Sequence, residues 1–352
     1  MHMADALLSP AVGGTMWAVT AGLIGYCSKK IKDEIDDQKI PLMGVLGAFI
    51  FAAQMINFTI PVTGSSGHLG GGMILSILLG PHIAFLTMAS VLTVQALFFA
   101  DGGLLALGCN IFNLGFFPCF IAYPLIYKKI VLQNATWQKA EKNILIGSLI
   151  AAILALQMGA FAVVLETVFS GVSELPFTTF LMLMLPIHLA IGIVEGITTA
   201  AVVLFIWKAR PEILNAASSS APIGNFSIRN VLVGVVAVTL ITGGALSWFA
   251  SSNPDGLEWA MFKTAGVEEL EAPEGVHTSL SEIQEKTAFL PDYGFKVDES
   301  DKELNKESGK EESQSWPAVD SGTSVSGIIG GLLTLMAAVG IGFIFKRKKT
   351  NG

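Results

Sequence analysis

The chain has 352 residues, of which 52% are hydrophobic and only 14% charged, and its mean hydropathy is +0.62. Soluble globular domains carry roughly 25% charged residues, so this balance excludes a water-soluble protein and predicts an all-α integral membrane protein. The formal net charge of −7 marks no cationic partner and no nucleic-acid partner is expected, because the acidic residues crowd into one late hydrophilic stretch.

The chain opens "MHMADALLSP". A secretory signal peptide begins with a Lys/Arg-bearing region; this stretch has one Asp, one His and no Lys or Arg, which reads either as ordinary terminal sequence or as a terminus retained for its own chemistry. A membrane-spanning helix needs about 20 predominantly apolar residues. Such segments follow at Ala11–Tyr26, Leu42–Ile60, Gly70–Gly80 running into Pro81–Phe99, Leu104–Tyr127, Ile144–Phe169, Phe180–Trp207, Val231–Phe249 and Val325–Phe345. Gly70–Gly80 is too short to cross alone and is expected at half depth or packed inside the bundle, where irregular backbone is tolerated. Cys27, Cys109 and Cys119 lie in or beside these runs at no metal-ligand spacing and read as buried small hydrophobes.

Lys and Arg set topology. The segments "CSKKIKDEIDDQK", "IYKK", "WQKAEKN", "WKAR", "SIRN" and "FKRKKTNG" are therefore expected on the cytoplasmic side. The N-terminus, the loop "PVTGSSGHLGGG", the "ADGG" turn and the region 251–324 are expected outside. Three parts result: a bundle of seven apolar segments over 1–210, a polar linker over 211–228, and over 229–352 a two-helix membrane hairpin joined by an extracellular acidic loop. The stretch "DESDKELNKESGKEESQS" within that loop has a composition that cannot bury a core and is expected to be solvated.

Of five histidines, His2 and His68 fall on the outer face. A free terminal amine followed by X-His is a chelator: the Met1 amine, the His2 amide nitrogen and the His2 ring close fused rings around one ion. A nitrogen from His68 completes a square-planar N4 site, the geometry of Cu(II) or Ni(II), with Co(II) more tolerant of other shapes. The amide must lose its proton, so Ca and Mg are poor candidates. The glycines of "TGSSGHLGGG" suit a loop folded down on a ligand; the competing reading is two unrelated surface histidines. His188 and Glu195 sit two helical turns apart inside an apolar segment, where ionisable groups are functional by default; they could orient the site, connect to a coupling surface or satisfy each other. His82, beside Pro81, reads as a structural hydrogen-bonding residue. Asn57, Gln95, Asp101 and Asn110 cluster near the outer halves as candidates to hydrogen-bond the ligating rings.

"MHMADALLSP", "PVTGSSGHLGGG", "LLGPHIAFLTMASVLTVQALFFADGGLLALGCNIFNLGF" and "LPIHLAIGIVEGITTA" together resemble the substrate-capturing component of energy-coupling-factor transporters for nickel or cobalt, the NikM/CbiM type. The resemblance covers roughly the first two-thirds of the chain. It implies a seven-helix membrane protein that binds the ion through Met1, His2 and His68. It further implies a transmembrane coupling subunit and a pair of cytoplasmic ATPases as partners, in a prokaryotic cell membrane. The family opens closer to "MHIPDGFLSP"; Ala4-Asp5-Ala6 departs from it but leaves the chelating residues intact. The later part resembles the NikN-like accessory subunit of nickel systems through Pro254–Glu258, "PDYGF" and "SGIIGGLLTLMAAVG". This fusion tilts the expected cargo toward nickel, with cobalt as the alternative and no resident cofactor.

No GxxxxGK[ST] loop is present, so ATP is not hydrolysed in the P-loop manner, and neither HxxxxDH nor HExxH occurs. The chain is expected to be a transporter component rather than an enzyme. The rival functions are a membrane metal sensor and a carrier for a small organic vitamin. Gly44, Ala48 and Ala52 form a small-residue stripe on the second helix, open either to a partner subunit or to packing within the chain.

Overall fold

Ser9 starts the first long helix, α1 (Pro10–Lys30): its hydroxyl accepts the Val12 N–H at 3.4 Å, and Pro10 takes the first helical position, where a missing N–H costs nothing. The computed structural model describes residues 2–131, 137–173, 175–267, 270, 272–296 and 316–346. After α1 come α2 (Lys39–Gln54), a hairpin of β1 (Phe58–Ile60) and β2 (Ser65–Gly67), α3 (Gly72–Leu79), α4 (Pro81–Phe99), α5 (Leu107–Val131), α6 (Trp137–Ser170) and α7 (Phe177–Ala209). The two strands pair antiparallel, Phe58 opposite Gly67 and Ile60 opposite Ser65.

Among the described residues, five helices are long and apolar enough to cross a membrane: α4, α5, Lys139–Ser170 of α6, α7, and the C-terminal α12 (Ser321–Phe345). The eight residues of α3 are buried throughout; this short helix is packed inside the bundle. α5 winds in wide π-helical turns over Phe112–Tyr127, which contains Pro118 and Pro124. Each proline removes one ladder donor and crowds the preceding turn, and the wider turn accommodates both. The apolar run Leu42–Ile60 stops being helical at Gln54 because Thr59 and Ile60, ahead of Pro61, favour the extended backbone that pairs with β2.

The second part departs from the sequence reading in two places. The segment 211–228 contains helix α8 (Pro211–Ser218), which buries Ile213, Ala216 and Ala217 and is not simply a polar linker. After α9 (Arg229–Gly244), the region 251–324 folds onto the bundle through α10 (Gly256–Ala265) and α11 (Val276–Thr287). Asp255 and Glu258 make a reciprocal capping box that starts α10, and Leu257, Ala260 and Met261, one face of a helical period, are buried. The acidic stretch 298–315 lies outside the described residues.

The small-residue stripe on α2 is taken up within the chain. A Cβ on Gly44 would sit 2.5 Å from Val339 Cγ2 of α12, and one on Gly331 of α12 would sit 3.8 Å from Ala48 Cβ. The stripe is where α12 docks, not a free surface for a partner. The described residues of the basic segments gather at the other end of the bundle, where Lys128 reaches the Ser218 carbonyl at 2.8 Å and His82 Nδ1 lies 2.7 Å from Glu34.

Candidate metal site

At the end of the bundle away from those basic segments, residues 2–8 enter a slot cut into the Asp101–Ala106 turn. Asn110 grips Met3 from both sides, its Oδ1 accepting the Met3 N–H at 2.8 Å and its Nδ2 donating to the Met3 carbonyl at 3.2 Å. The Gly103 N–H donates to the same carbonyl at 3.0 Å, and Asp5 Oδ1 accepts the Ala106 N–H at 2.9 Å. A side chain at position 103 has no room, since its Cβ would stand 1.8 Å from Asp5 Oδ1. Sequence thus fixes the approach of the N-terminus: a glycine admits it and an asparagine locks its backbone. Met1 lies outside the described residues.

His2 projects from this slot onto His68. The two rings stack with centroids 4.9 Å apart and planes inclined by 25°. His2 Nδ1 is 2.7 Å from Asp101 Oδ1, and His2 Nε2 is buried without a hydrogen-bond partner. A carboxylate only accepts, so Nδ1 carries the proton and Nε2 keeps its lone pair. His68 follows the hairpin, and its Nδ1 lies 3.0 Å from the Leu69 carbonyl, which assigns the proton to Nδ1 and the lone pair to Nε2 there also. Burial pulls His68 down to about 3, so its ring is neutral and ready to ligate at neutral pH. Burial pushes the Asp101 carboxyl up, but the hydrogen bonds from the His2 ring and the Tyr293 hydroxyl outweigh it and hold Asp101 well below the usual carboxylate range.

The turn after His68 is tied to rigid helices. Glu195 on α7 accepts the Gly70 N–H at 2.7 Å and the Gly71 N–H at 3.2 Å, while Gln54 Nε2 at the end of α2 donates to the Gly70 carbonyl at 2.9 Å. Glu195 therefore holds backbone, not His188. The His188 ring bonds the Met184 carbonyl at 2.8 Å, one turn back on its own helix, and its Nε2 has no partner. The two residues share a helix face without satisfying each other. Asn57 lines the cavity over the histidines, with its Oδ1 buried and unpartnered. The Gln95 side chain reaches the site through Tyr293, at 3.2 Å, and the Gln95 backbone carbonyl accepts the Asp101 N–H at 3.2 Å.

Over the histidines the accessory region forms a cover. His277 bonds the Leu8 carbonyl at 2.8 Å, Gln284 bonds the Ala96 and Gly102 carbonyls at 2.8 and 2.7 Å, and Ser66 on β2 donates its N–H to Pro254 at 2.8 Å. The Trp259 indole donates to Thr63 at 2.9 Å. Between cover and floor lies a cavity of about 460 Å³, lined by His2, His68, Asp101, Asp255, Glu258 and Tyr293 among others. Among the described residues no three His, Cys, Asp or Glu side chains form a ligand cluster. What the site offers a metal is the Nε2 lone pair of His68 beside a His2 ring whose Nδ1 is held by Asp101 and whose Nε2 is buried and unpartnered, in a cavity with carboxylates on its walls. Sequence reasoning missed Tyr293, Gln54, Asp5 and His277 as parts of this site. "PDYGF" was visible as a motif, but nothing local ties Tyr293 to Asp101, 192 residues earlier.

Residues 2–213 match CbiM, the cobalt uptake substrate-specific transmembrane region, and residues 229–347 match the PDGLE domain. A putative fused nickel transport protein NikMN of Archaeoglobus fulgidus is 30% identical over 344 residues, covering 95% of this chain and 96% of its own. A putative metal transport protein of Haloquadratum walsbyi is 37% identical over 216 residues, 61% of this chain and 93% of its own. The cobalt transport protein CbiM of Geobacter sulfurreducens is 27% identical over 224 residues, 61% of each chain. A crystal structure of a truncated transition metal transporter superposes with a TM-score of 0.52 at 28% identity, covering 59% of this chain and 99% of that one. The chain, a multi-pass membrane metal-transport component, belongs to the CbiM family and carries its NikM/CbiM-type region fused to a NikN-like PDGLE domain.

Proposed function

We propose that this protein is the ion-capturing membrane component of an ATP-driven energy-coupling-factor importer for nickel, holding Ni(II) through the Met1 amine, the His2 amide and ring nitrogens, and His68. The observation that carries the reading is the His2–His68 stack at 4.9 Å: two histidines distant in sequence meet at the floor of one cavity. A strongly polarising transition metal can displace the amide proton and bind four nitrogens in a plane. Asp101 and Asn110 support the floor, Glu195 fixes the turn that presents His68, and Asn57 and Gln95 add polar groups around them.

Seven helices of residues 1–210 form the capture bundle, and α9 and α12 form the accessory hairpin. The His2 end faces outward and the basic end the cytoplasm of a prokaryotic cell, where a coupling subunit and two ATPases supply the energy that this chain lacks. Domain limits of 1–210, 211–228 and 229–352 follow that division. Nickel is favoured because a relative sharing the fused arrangement along 95% of this chain is described as a nickel transport protein. Cobalt is the second reading, favoured by the family's description as a cobalt uptake region.

The test is nickel and cobalt titration, by calorimetry with visible absorption, of the purified chain and of a version with one extra N-terminal residue. A yellow square-planar Ni(II) band that the extension abolishes supports the chelate. Equal binding by both versions moves the ligands elsewhere. ATP-dependent uptake when the partner subunits are supplied separates an importer component from a metal sensor.

A further inference from the structure

The bonds that fix the His2 ring lead into the accessory domain. Asp101 receives His2 Nδ1 on one carboxylate oxygen, at 2.7 Å, and the Tyr293 hydroxyl donates to its other oxygen. Gln95 Nε2 donates to the Tyr293 hydroxyl at 3.2 Å. The Tyr293 ring is seated without help from that hydroxyl, stacked on Phe99 at 5.2 Å and edge-on to Phe51 at 6.0 Å. The hydroxyl is thus free to aim its hydrogen at Asp101.

This arrangement competes with the chelate proposed above, on which the present inference rests. Only Nδ1 of a histidine ring lies close enough to its own amide nitrogen to share an ion with it; Nε2 points away. In the structure Nδ1 is engaged by Asp101. We propose that Tyr293 is a positioning residue that latches the metal-free site. It fixes Asp101 so that Asp101 holds His2 Nδ1, and capture of the ion exchanges this hydrogen bond for a metal–nitrogen bond. The ring keeps a single proton throughout, which passes from Nδ1 to the unpartnered Nε2, while the His2 amide proton and one proton of the Met1 ammonium go to solvent. A contact present only in the metal-free arrangement subtracts from affinity by the amount it stabilises that arrangement. The accessory domain, through one hydroxyl, thereby sets how readily the ion is taken.

The experiment is nickel binding by the full chain with its native N-terminus, read by calorimetry for affinity and by stopped-flow absorption for association rate, on wild type and Tyr293→Phe. Loss of one directed hydrogen bond predicts about fivefold tighter binding and faster association, with the metal-free melting temperature lowered by that one bond and no more, because the ring contacts remain, and the nickel-loaded melting temperature unchanged. Gln95→Met, which removes the donor to Tyr293, shifts affinity and rate the same way by less, and decides the matter if Tyr293→Phe lowers the metal-free melting temperature further than one bond accounts for. Weaker nickel binding by Tyr293→Phe in the folded chain overturns the latch, since Tyr293 would then support the metal-bound ring. Unchanged affinity and rate in both variants overturn it as well. Failure of the chelate itself is separately visible: the one-residue N-terminal extension would then bind nickel as wild type does, whatever the Tyr293 variants do.

Discussion

The two ends of the bundle are built on different principles. At the His2 end, short irregular segments are held by hydrogen bonds to buried groups on distant elements: Met3 by Asn110, the turn after His68 by Glu195 and Gln54, Leu8 by His277. At the other end, helices run to their termini and several polar contacts lie in solvent, as between Lys208 and Glu141 or Asp36 and Gly224. A buried hydrogen bond whose partner is removed leaves a desolvated group and a large cost, whereas an exposed ion pair contributes little. The His2 end therefore positions side chains, and the far end chiefly ends helices.

The largest way to break this contrast is Glu195→Ala. Two buried N–H groups, of Gly70 and Gly71, lose their acceptor at once, so the melting temperature in detergent should fall by the equivalent of about 2–5 kcal/mol. Nickel affinity should drop at least about tenfold as His68 loses its support. Glu195→Gln keeps one acceptor oxygen and should lose less of both. Wild-type nickel binding by Glu195→Ala would show that the turn holds its shape without the carboxylate.

Next comes Asn110→Leu. The Met3 carbonyl keeps its bond from Gly103, but the Met3 N–H is orphaned, a loss of about 1–3 kcal/mol. Because Met3 adjoins the proposed ligand His2, nickel affinity should fall even when the protein remains folded, which gel filtration in detergent would establish. Gly103→Ala acts on the same slot by volume: its Cβ needs the place of Asp5 Oδ1. Asp5 must give up the Ala106 N–H, and nickel should bind several-fold more weakly, at a melting cost of about 1–3 kcal/mol. Equal affinities in wild type and Gly103→Ala would mean that the N-terminus reaches the ion without this slot.

What the sequence disclosed, and what it withheld, divides along the same line. Apolar length located the spanning helices, and the shortness of Gly70–Gly80 located a buried helix, because bilayer thickness and burial act on composition. His2 and His68, whose rings do stack, were legible as a candidate pair. Their tethers were not: Asn110 and Met3 are 107 residues apart, His277 and Leu8 269 apart, and each bond uses a backbone atom that any residue would supply. The cover was not legible because the region 251–324 read only as an extracellular acidic loop joining two helices. The helical spacing of Leu257, Ala260 and Met261 was the available signal against it. For the α2 stripe, small residues announced a close helix contact but not the partner, and α12 took the place.

Lys208→Ala should have the smallest effect. Its Nζ lies 2.9 Å from Glu141, yet the two side chains are 60% and 49% exposed, so water and salt screen the pair and holding two long side chains costs entropy. The melting temperature should change by less than the equivalent of about 0.5 kcal/mol, and nickel affinity should not move. The null result is informative because Lys208 ends α7, the helix that carries Glu195. If affinity did change, the far end of α7 would be transmitting to the turn after His68, and the two ends would have to be treated as one coupled element. If it does not, α7 serves as a fixed post for Glu195, and any signal between the ends must travel by rigid movement of the bundle instead of through that single helix.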